Sequence, residues 1–114
     1  MLNDLDDVGF TIHANAVEKG FYAPLERLDE EDYIIFYLKQ LAMIHSEVSE
    51  VLEALRKSKG ADVVADEMAD IFIRLVDLYS LLRRTGEVNV PLAEAITKKM
   101  NVNVTRPKMH GVLA

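Results

Sequence analysis

The chain has 114 residues, half of them hydrophobic, and its formal net charge is −6. This length suits one domain with a core of its own, so we expect a single domain over residues 1–114. The lack of cysteine excludes disulfides and thiolate metal sites, and the acidic balance argues against a broad nucleic-acid-binding surface.

Glycine and proline divide the chain into four predicted helices. These helices cover about residues 4–19, 31–58, 62–84 and 91–100. Asp29 precedes the second helix as its expected N-cap, Gly60 lies in the turn before the third, and Pro91 suits the first turn of the fourth. No stretch shows the sustained alternation of a strand, so the predicted fold class is all-α.

The second and third helices carry apolar residues at alternating spacings of four and three. The positions are Ile34, Leu38, Leu41, His45, Val48, Leu52 and Leu55 on the second helix, and Val64, Met68, Ile71, Leu75, Leu78 and Leu82 on the third. In a hairpin that turns near residues 58–60 these positions pair in successive layers. The pattern therefore predicts an antiparallel helical hairpin whose two stripes form a core.

The third helix is apolar around most of its circumference, notably at Phe72, Ile73 and Val76. Such a helix is normally buried on several sides. In a short chain the cover has to come from the first and fourth helices or from a second subunit. We therefore expect a homodimer or a dimer of dimers.

Four acids form two pairs at mirrored positions of the hairpin. Glu47 and Glu50 are three residues apart, as are Glu67 and Asp70, so each pair lies on one face of its helix. Four carboxylates at the same height repel one another, and a hard divalent cation removes this repulsion. An oxygen-only site of this kind favours Mg²⁺, with Mn²⁺ as a substitute.

Other interpretations of the charged residues remain open. Glu53 and Lys57 are a common surface pair, so the acids are alternatively an exposed charged face of a non-catalytic helical interaction module. A di-iron site is disfavoured because neither acid pair has the histidine it needs, and His45 falls in the apolar stripe. Arg74 and Asp77 are interpreted as structural ion-pair partners of each other or of a neighbouring helix.

The sequence also bears on location. No apolar run is long enough to span a membrane, and residues 1–7 lack the layout of a signal peptide. A cytoplasmic protein with no membrane partner is expected.

No acid follows Glu94, and the basic residues beyond it are Lys98, Lys99, Arg106, Lys108 and His110. This stretch is either a solvated tail or a source of phosphate-binding cations.

The two acid pairs, separated by sixteen residues, resemble the signature of the all-α nucleoside triphosphate pyrophosphohydrolases. That superfamily includes MazG, the dimeric dUTPases, the dCTP pyrophosphatases and phosphoribosyl-ATP pyrophosphatase, and the short MazG-like proteins are the most similar. Agreement extends over residues 13–111 and includes Lys19-Gly20-Phe21-Tyr22, Ile44-His45-Ser46-Glu47, and a final segment with Lys99, Met100, Asn103, Arg106, Pro107, His110 and Gly111. Ser46 replaces the first of two adjacent glutamates in the fuller MazG motif, which argues against a three-metal arrangement.

The resemblance implies a four-helix MazG-like bundle that hydrolyses a nucleoside triphosphate to the monophosphate and pyrophosphate with Mg²⁺, in clearance of the nucleotide pool. A related enzyme acting on another nucleotide, such as phosphoribosyl-ATP, is the alternative. The implied metal ligands are Glu47, Glu50, Glu67 and Asp70, and Glu47 or Glu50 orients the attacking water or accepts its proton. The implied substrate-binding residues are Lys19, Lys99 and Arg106 for the phosphates, Asn103 as a hydrogen-bonding group, and Phe21 and Tyr22 for stacking on the base. The two aromatics alternatively anchor their loop to the core.

Overall fold

A computed structural model describes residues 3–106, and within this range it contains four α-helices and no strand. The helices are α1 (Asn3–Glu18), α2 (Tyr33–Arg56), α3 (Ala61–Arg84) and α4 (Leu92–Val104), with two 3₁₀ turns, Ala23–Arg27 and Glu30–Asp32, between α1 and α2. The predicted all-α class is therefore confirmed. The second 3₁₀ turn delays the start of α2 by two residues, and α4 continues past its predicted end at Met100.

A short turn makes α2 and α3 a hairpin, as predicted. The amide of Lys59 donates to the carbonyl of Ala54 at 3.0 Å and so ends α2. Gly60 then adopts a φ of 108°, a conformation that is strained for residues with a Cβ atom. The reversal in so few residues brings the end of α2 beside the start of α3.

The core lies at the opposite end of the hairpin from this turn. It is formed by Ala16, Tyr22, Leu25, Phe36, Tyr37, Leu78 and Leu81, with Tyr33, Ile44 and Leu82 packed around it. α1 packs against α3, and α4 packs against α1. The carboxylate of Asp6 accepts a hydrogen bond from the amide of Ala93 at 3.1 Å and ties α4 to α1.

The expectation that the two apolar stripes form the core is wrong for most of their length. The exposed fractions are 54% for Ile34, 57% for Leu38, 47% for Leu41, 50% for Val48, 58% for Leu52, 61% for Leu55, 57% for Met68 and 50% for Leu75. Leu78 is buried because it lies at the end of the hairpin that α1 and the loop after it cover. Elsewhere α4 packs mainly against α1 and leaves the stripes as an open apolar face.

No helix within residues 3–106 combines the length and the apolar character that crossing a bilayer requires.

Candidate active site

Three of the four acids converge near the middle of the hairpin. Carboxylate oxygens of Glu47, Glu50 and Glu67 all lie within 4.8 Å of one another. Glu47 and Glu67 are half-buried, whereas Glu50 and Asp70 are exposed. Asp70 lies outside this group of three, but its charge acts on Glu47. The three-residue spacings and the short turn together bring side chains from two helices to one height.

The chemistry of this donor set fits a divalent cation. Oxygens that bind the same Mg²⁺ are separated by at most about 4.2 Å, twice the metal–oxygen distance. Small rotamer changes would bring Glu47, Glu50 and Glu67 within that limit. Carboxylate oxygens without nitrogen or sulfur ligands are typical of Mg²⁺ and Mn²⁺ sites.

Glu47 carries the clearest electrostatic signature of the cluster. Removal from water raises the pKa of its carboxyl group, and the negative charge of Glu50 raises it further. Arg74 opposes this effect, because its Nε lies 3.3 Å from Oε1 of Glu47. The predicted ion pair of Arg74 with a neighbouring helix is thus confirmed, with an acid of the cluster as its partner.

A cavity of about 460 Å³ adjoins the acid cluster. Its lining residues are Ile12, Asn15, Ala16, Phe21, Tyr22, Gln40, Met43, Asp70, Ile73, Arg74 and Asp77. Apolar walls with a few polar groups are typical of small-molecule sites, and this volume lies in their usual range. Asp70 and Arg74 connect the cavity to the acid cluster. The arrangement can hold a ligand with an apolar ring at one end and an anionic group at the other.

The two aromatics predicted to bind the base have different environments. The side chain of Phe21 is 64% exposed, so a face of its ring is available at the cavity. Tyr22 is only 5% exposed, and its ring packs 5.0 Å from that of His13 and 5.8 Å from that of Phe36. Tyr22 therefore forms a wall of the cavity and anchors the loop to the core.

Asp77 is a site residue whose partners sequence reasoning missed. Its carboxylate accepts a hydrogen bond from the hydroxyl of Tyr22 and lies 2.8 Å from Nδ1 of His13. Burial raises the pKa of Tyr22, and the bond to Asp77 adds to this effect. Tyr22 and His13 are 55 and 64 positions from Asp77 in sequence, so no local pattern indicates these contacts.

The three predicted phosphate-binding residues, and Asn103 as the predicted hydrogen-bonding group, do not line this cavity. Lys19 is exposed just after the end of α1, Lys99 and Asn103 are exposed on α4, and Arg106 follows the end of that helix. Within the described residues 3–106, none of these four side chains lines the cavity. Pro107, Lys108, His110 and Gly111, from the final segment of the resemblance, lie outside the described residues.

Comparison with known families supports the sequence resemblance. The family model described as the MazG nucleotide pyrophosphohydrolase domain matches residues 37–108, more than half of the chain. The match contains all four acids and most of α2, with all of α3 and α4. No curated protein and no solved structure matches the chain. Five residues of the cavity wall precede the matched range: Ile12, Asn15, Ala16, Phe21 and Tyr22.

Proposed function

Because the chain belongs to the MazG nucleotide pyrophosphohydrolase family, we propose that it hydrolyses a nucleoside triphosphate to the monophosphate and pyrophosphate. The observation that carries this proposal is the cluster of three carboxylates beside a cavity of nucleoside size. We further propose that the reaction clears nucleotides from the cytoplasmic pool.

The proposed cofactor is Mg²⁺, with Mn²⁺ as a substitute. Glu47, Glu50 and Glu67 are the proposed ligands, and Asp70 joins them from the edge of the cavity. When bound, the cation neutralises phosphate charge and lowers the pKa of a coordinated water molecule. Either Glu47 or Glu50 orients the attacking water or accepts its proton, because both belong to the cluster and a carboxylate suits either role.

The cavity is the proposed site for the nucleoside. Phe21 offers an exposed ring on which a base can stack, and stacking tolerates any base. Asn15 and Gln40 bring amide donors and acceptors to the same cavity and can read the edge of a base. Tyr22 shapes the cavity wall and is not free to stack, because it is buried and its ring packs against those of His13 and Phe36.

We propose that the protein works as a homodimer or a dimer of dimers. The open apolar face of the hairpin, in which six residues of the α2 stripe are exposed by 47% or more, is the surface that a second copy would cover. Such assembly is also a route by which Lys99, Asn103 and Arg106 could reach a nucleotide, since α4 stands apart from the cavity of its own chain.

The direct test is product analysis with a panel of ribo- and deoxyribonucleoside triphosphates and Mg²⁺. The expected products are the monophosphate and pyrophosphate in equal amounts. Glu47→Gln should lower the rate at least about a hundredfold, whereas Glu53→Gln, a matched change on the same helix outside the cluster, should leave it unchanged. Release of orthophosphate without pyrophosphate would contradict the proposed bond cleavage.

A further inference from the structure

Arg74 is the cation closest to the acid cluster. Its Nε lies 3.3 Å from Oε1 of Glu47 across the interface between α3 and α2. The Glu47 side chain is 17% exposed and that of Arg74 is 40% exposed, so water screens the pair less than it screens a surface ion pair. No other ion pair to Glu47, Glu50, Glu67 or Asp70 occurs within residues 3–106.

This pairing conflicts with occupation of the same cluster by a divalent cation. Without metal, one guanidinium compensates part of the repulsion among the carboxylates. With metal bound, the guanidinium and the metal ion are like charges that compete for the oxygens of Glu47. A guanidinium cannot relieve the conflict by losing its proton, because its pKa is too high. Movement of the Arg74 side chain away from Oε1 of Glu47 removes this conflict.

The adjoining cavity provides a destination for the displaced side chain. Arg74 already lines that cavity together with Asp70 and Asp77. Asp77 is engaged by Tyr22 and His13, and Asp70 is itself a proposed metal ligand, so neither acid is a ready alternative partner. The planar guanidinium matches phosphate oxygens in a two-pronged contact, and the closest approach to Glu47 through Nε leaves its terminal nitrogens available for one.

We propose that Arg74 is an internal counter-cation that holds the metal-free acid cluster, yields Glu47 to the incoming metal ion, and then binds the phosphates of the nucleotide. The second part of this inference rests on the proposed function, whereas the first part concerns metal binding alone. Arg74 thereby couples metal loading to formation of the phosphate site.

The first test measures Mn²⁺ binding without nucleotide, by calorimetry and by the electron paramagnetic resonance signal of free Mn²⁺. Arg74→Gln should raise the affinity roughly three- to tenfold, because the competing charge is gone. Arg74→Lys keeps the charge and should stay within about twofold of the original protein. Arg56→Gln removes an exposed arginine of α2 that pairs with Glu53, and it should change nothing. An unchanged or weaker affinity in Arg74→Gln, or an equal gain in Arg74→Lys, would overturn the proposal.

The second test measures binding of a nucleoside triphosphate analogue with a methylene bridge between the α and β phosphorus atoms, at saturating Mg²⁺. Arg74→Gln should weaken binding at least about tenfold, because a charge-assisted phosphate contact is lost. A change of less than twofold would remove the phosphate-binding role. If the unaltered protein neither binds this analogue nor releases pyrophosphate, the proposed function fails, and the Mn²⁺ titration still decides whether Arg74 is the counter-cation.

Discussion

Glu47 is the residue at which burial, like charge and a cationic partner act together. Its pKa is raised by removal from water and by Glu50, and lowered by Arg74. A carboxylate in this environment is poorly stabilised without a metal ion, and the same environment makes it a strong ligand. The free energy of unfolding of the metal-free protein should therefore depend on whether the Glu47 carboxyl group is protonated.

The pH dependence of stability follows from the raised pKa of Glu47. A carboxyl group that holds its proton more tightly when folded makes the free energy of unfolding fall as pH rises from the ordinary value of 4.5 toward the raised pKa. Without metal, Glu47→Gln should gain melting temperature relative to the original protein as the pH rises above about 4.5. With added Mn²⁺, the original protein should have the higher melting temperature of the two, because it retains the Glu47 ligand. If the melting temperature of the original protein instead rose relative to that of Glu47→Gln as the pH increased, the raised pKa of Glu47 would be contradicted.

The neighbouring aromatics Phe21 and Tyr22 should separate stability from binding. Tyr22→Phe removes the hydrogen bond to Asp77 in a buried setting and should lower the free energy of unfolding by about 1–3 kcal/mol. Phe21→Ala removes an exposed ring and should change it by less than about 0.5 kcal/mol. Urea denaturation measures both effects.

Binding of the triphosphate analogue should show the opposite pattern. Phe21→Ala should weaken binding by about 1–3 kcal/mol, the usual value of a base–aromatic contact. Equal losses of stability in both variants would show that Phe21 is an anchor like Tyr22.

At the scale of elements, sequence patterns predicted the four helices and the hairpin because Gly60, Pro91 and the apolar periodicity act locally. They failed for the packing of the stripes. A spacing of four and three marks the apolar side of a helix but does not say which surface covers it, so Leu38 and Leu52 are exposed while Leu78 is buried. The acid cluster could be predicted because a short turn fixes its register, whereas the contacts of His13 and Asp77 depend on how α1 crosses α3.

α1 and α3 approach each other closely at Gly9, so a substitution that adds a single methyl group there should affect stability. A Cβ atom at this position would lie 3.0 Å from Cγ1 of Val76, and Val76 is buried and cannot easily move. Gly9→Ala should therefore lower the free energy of unfolding by about 1 kcal/mol, although alanine favours helix more than glycine.

A double-mutant cycle with Val76→Ala separates the clash from other effects. Gly9→Ala should cost less in the Val76→Ala background, because the clashing methyl group is absent. Stabilisation by Gly9→Ala alone would show that α1 and α3 are not in such close contact.

At the scale of the molecule, the single chain is more extended than a compact domain of its length. Its radius of gyration is 16.3 Å, against about 13 Å for a globular chain of 114 residues. Together with the open apolar face, this extension is what a subunit that completes its core by association would show. The sequence predicted association from the apolar character of α3, but the exposed surface is found mainly on α2.

Association should depend on that face. In sedimentation velocity at micromolar concentration, the protein should be dimeric or larger, and Leu52→Lys should shift it toward monomer and reduce its activity. Val104→Lys, a change at an exposed valine on α4 outside that face, should leave the oligomeric state unchanged. A stable, well-folded monomer of the original protein at this concentration would contradict the proposed assembly.

The most direct measurement is anomalous diffraction from crystals soaked in Mn²⁺. The account predicts a strong peak within bonding distance of oxygens from Glu47, Glu50 and Glu67, with Arg74 moved away from Glu47. A well-ordered hairpin without any peak among those carboxylates would contradict it.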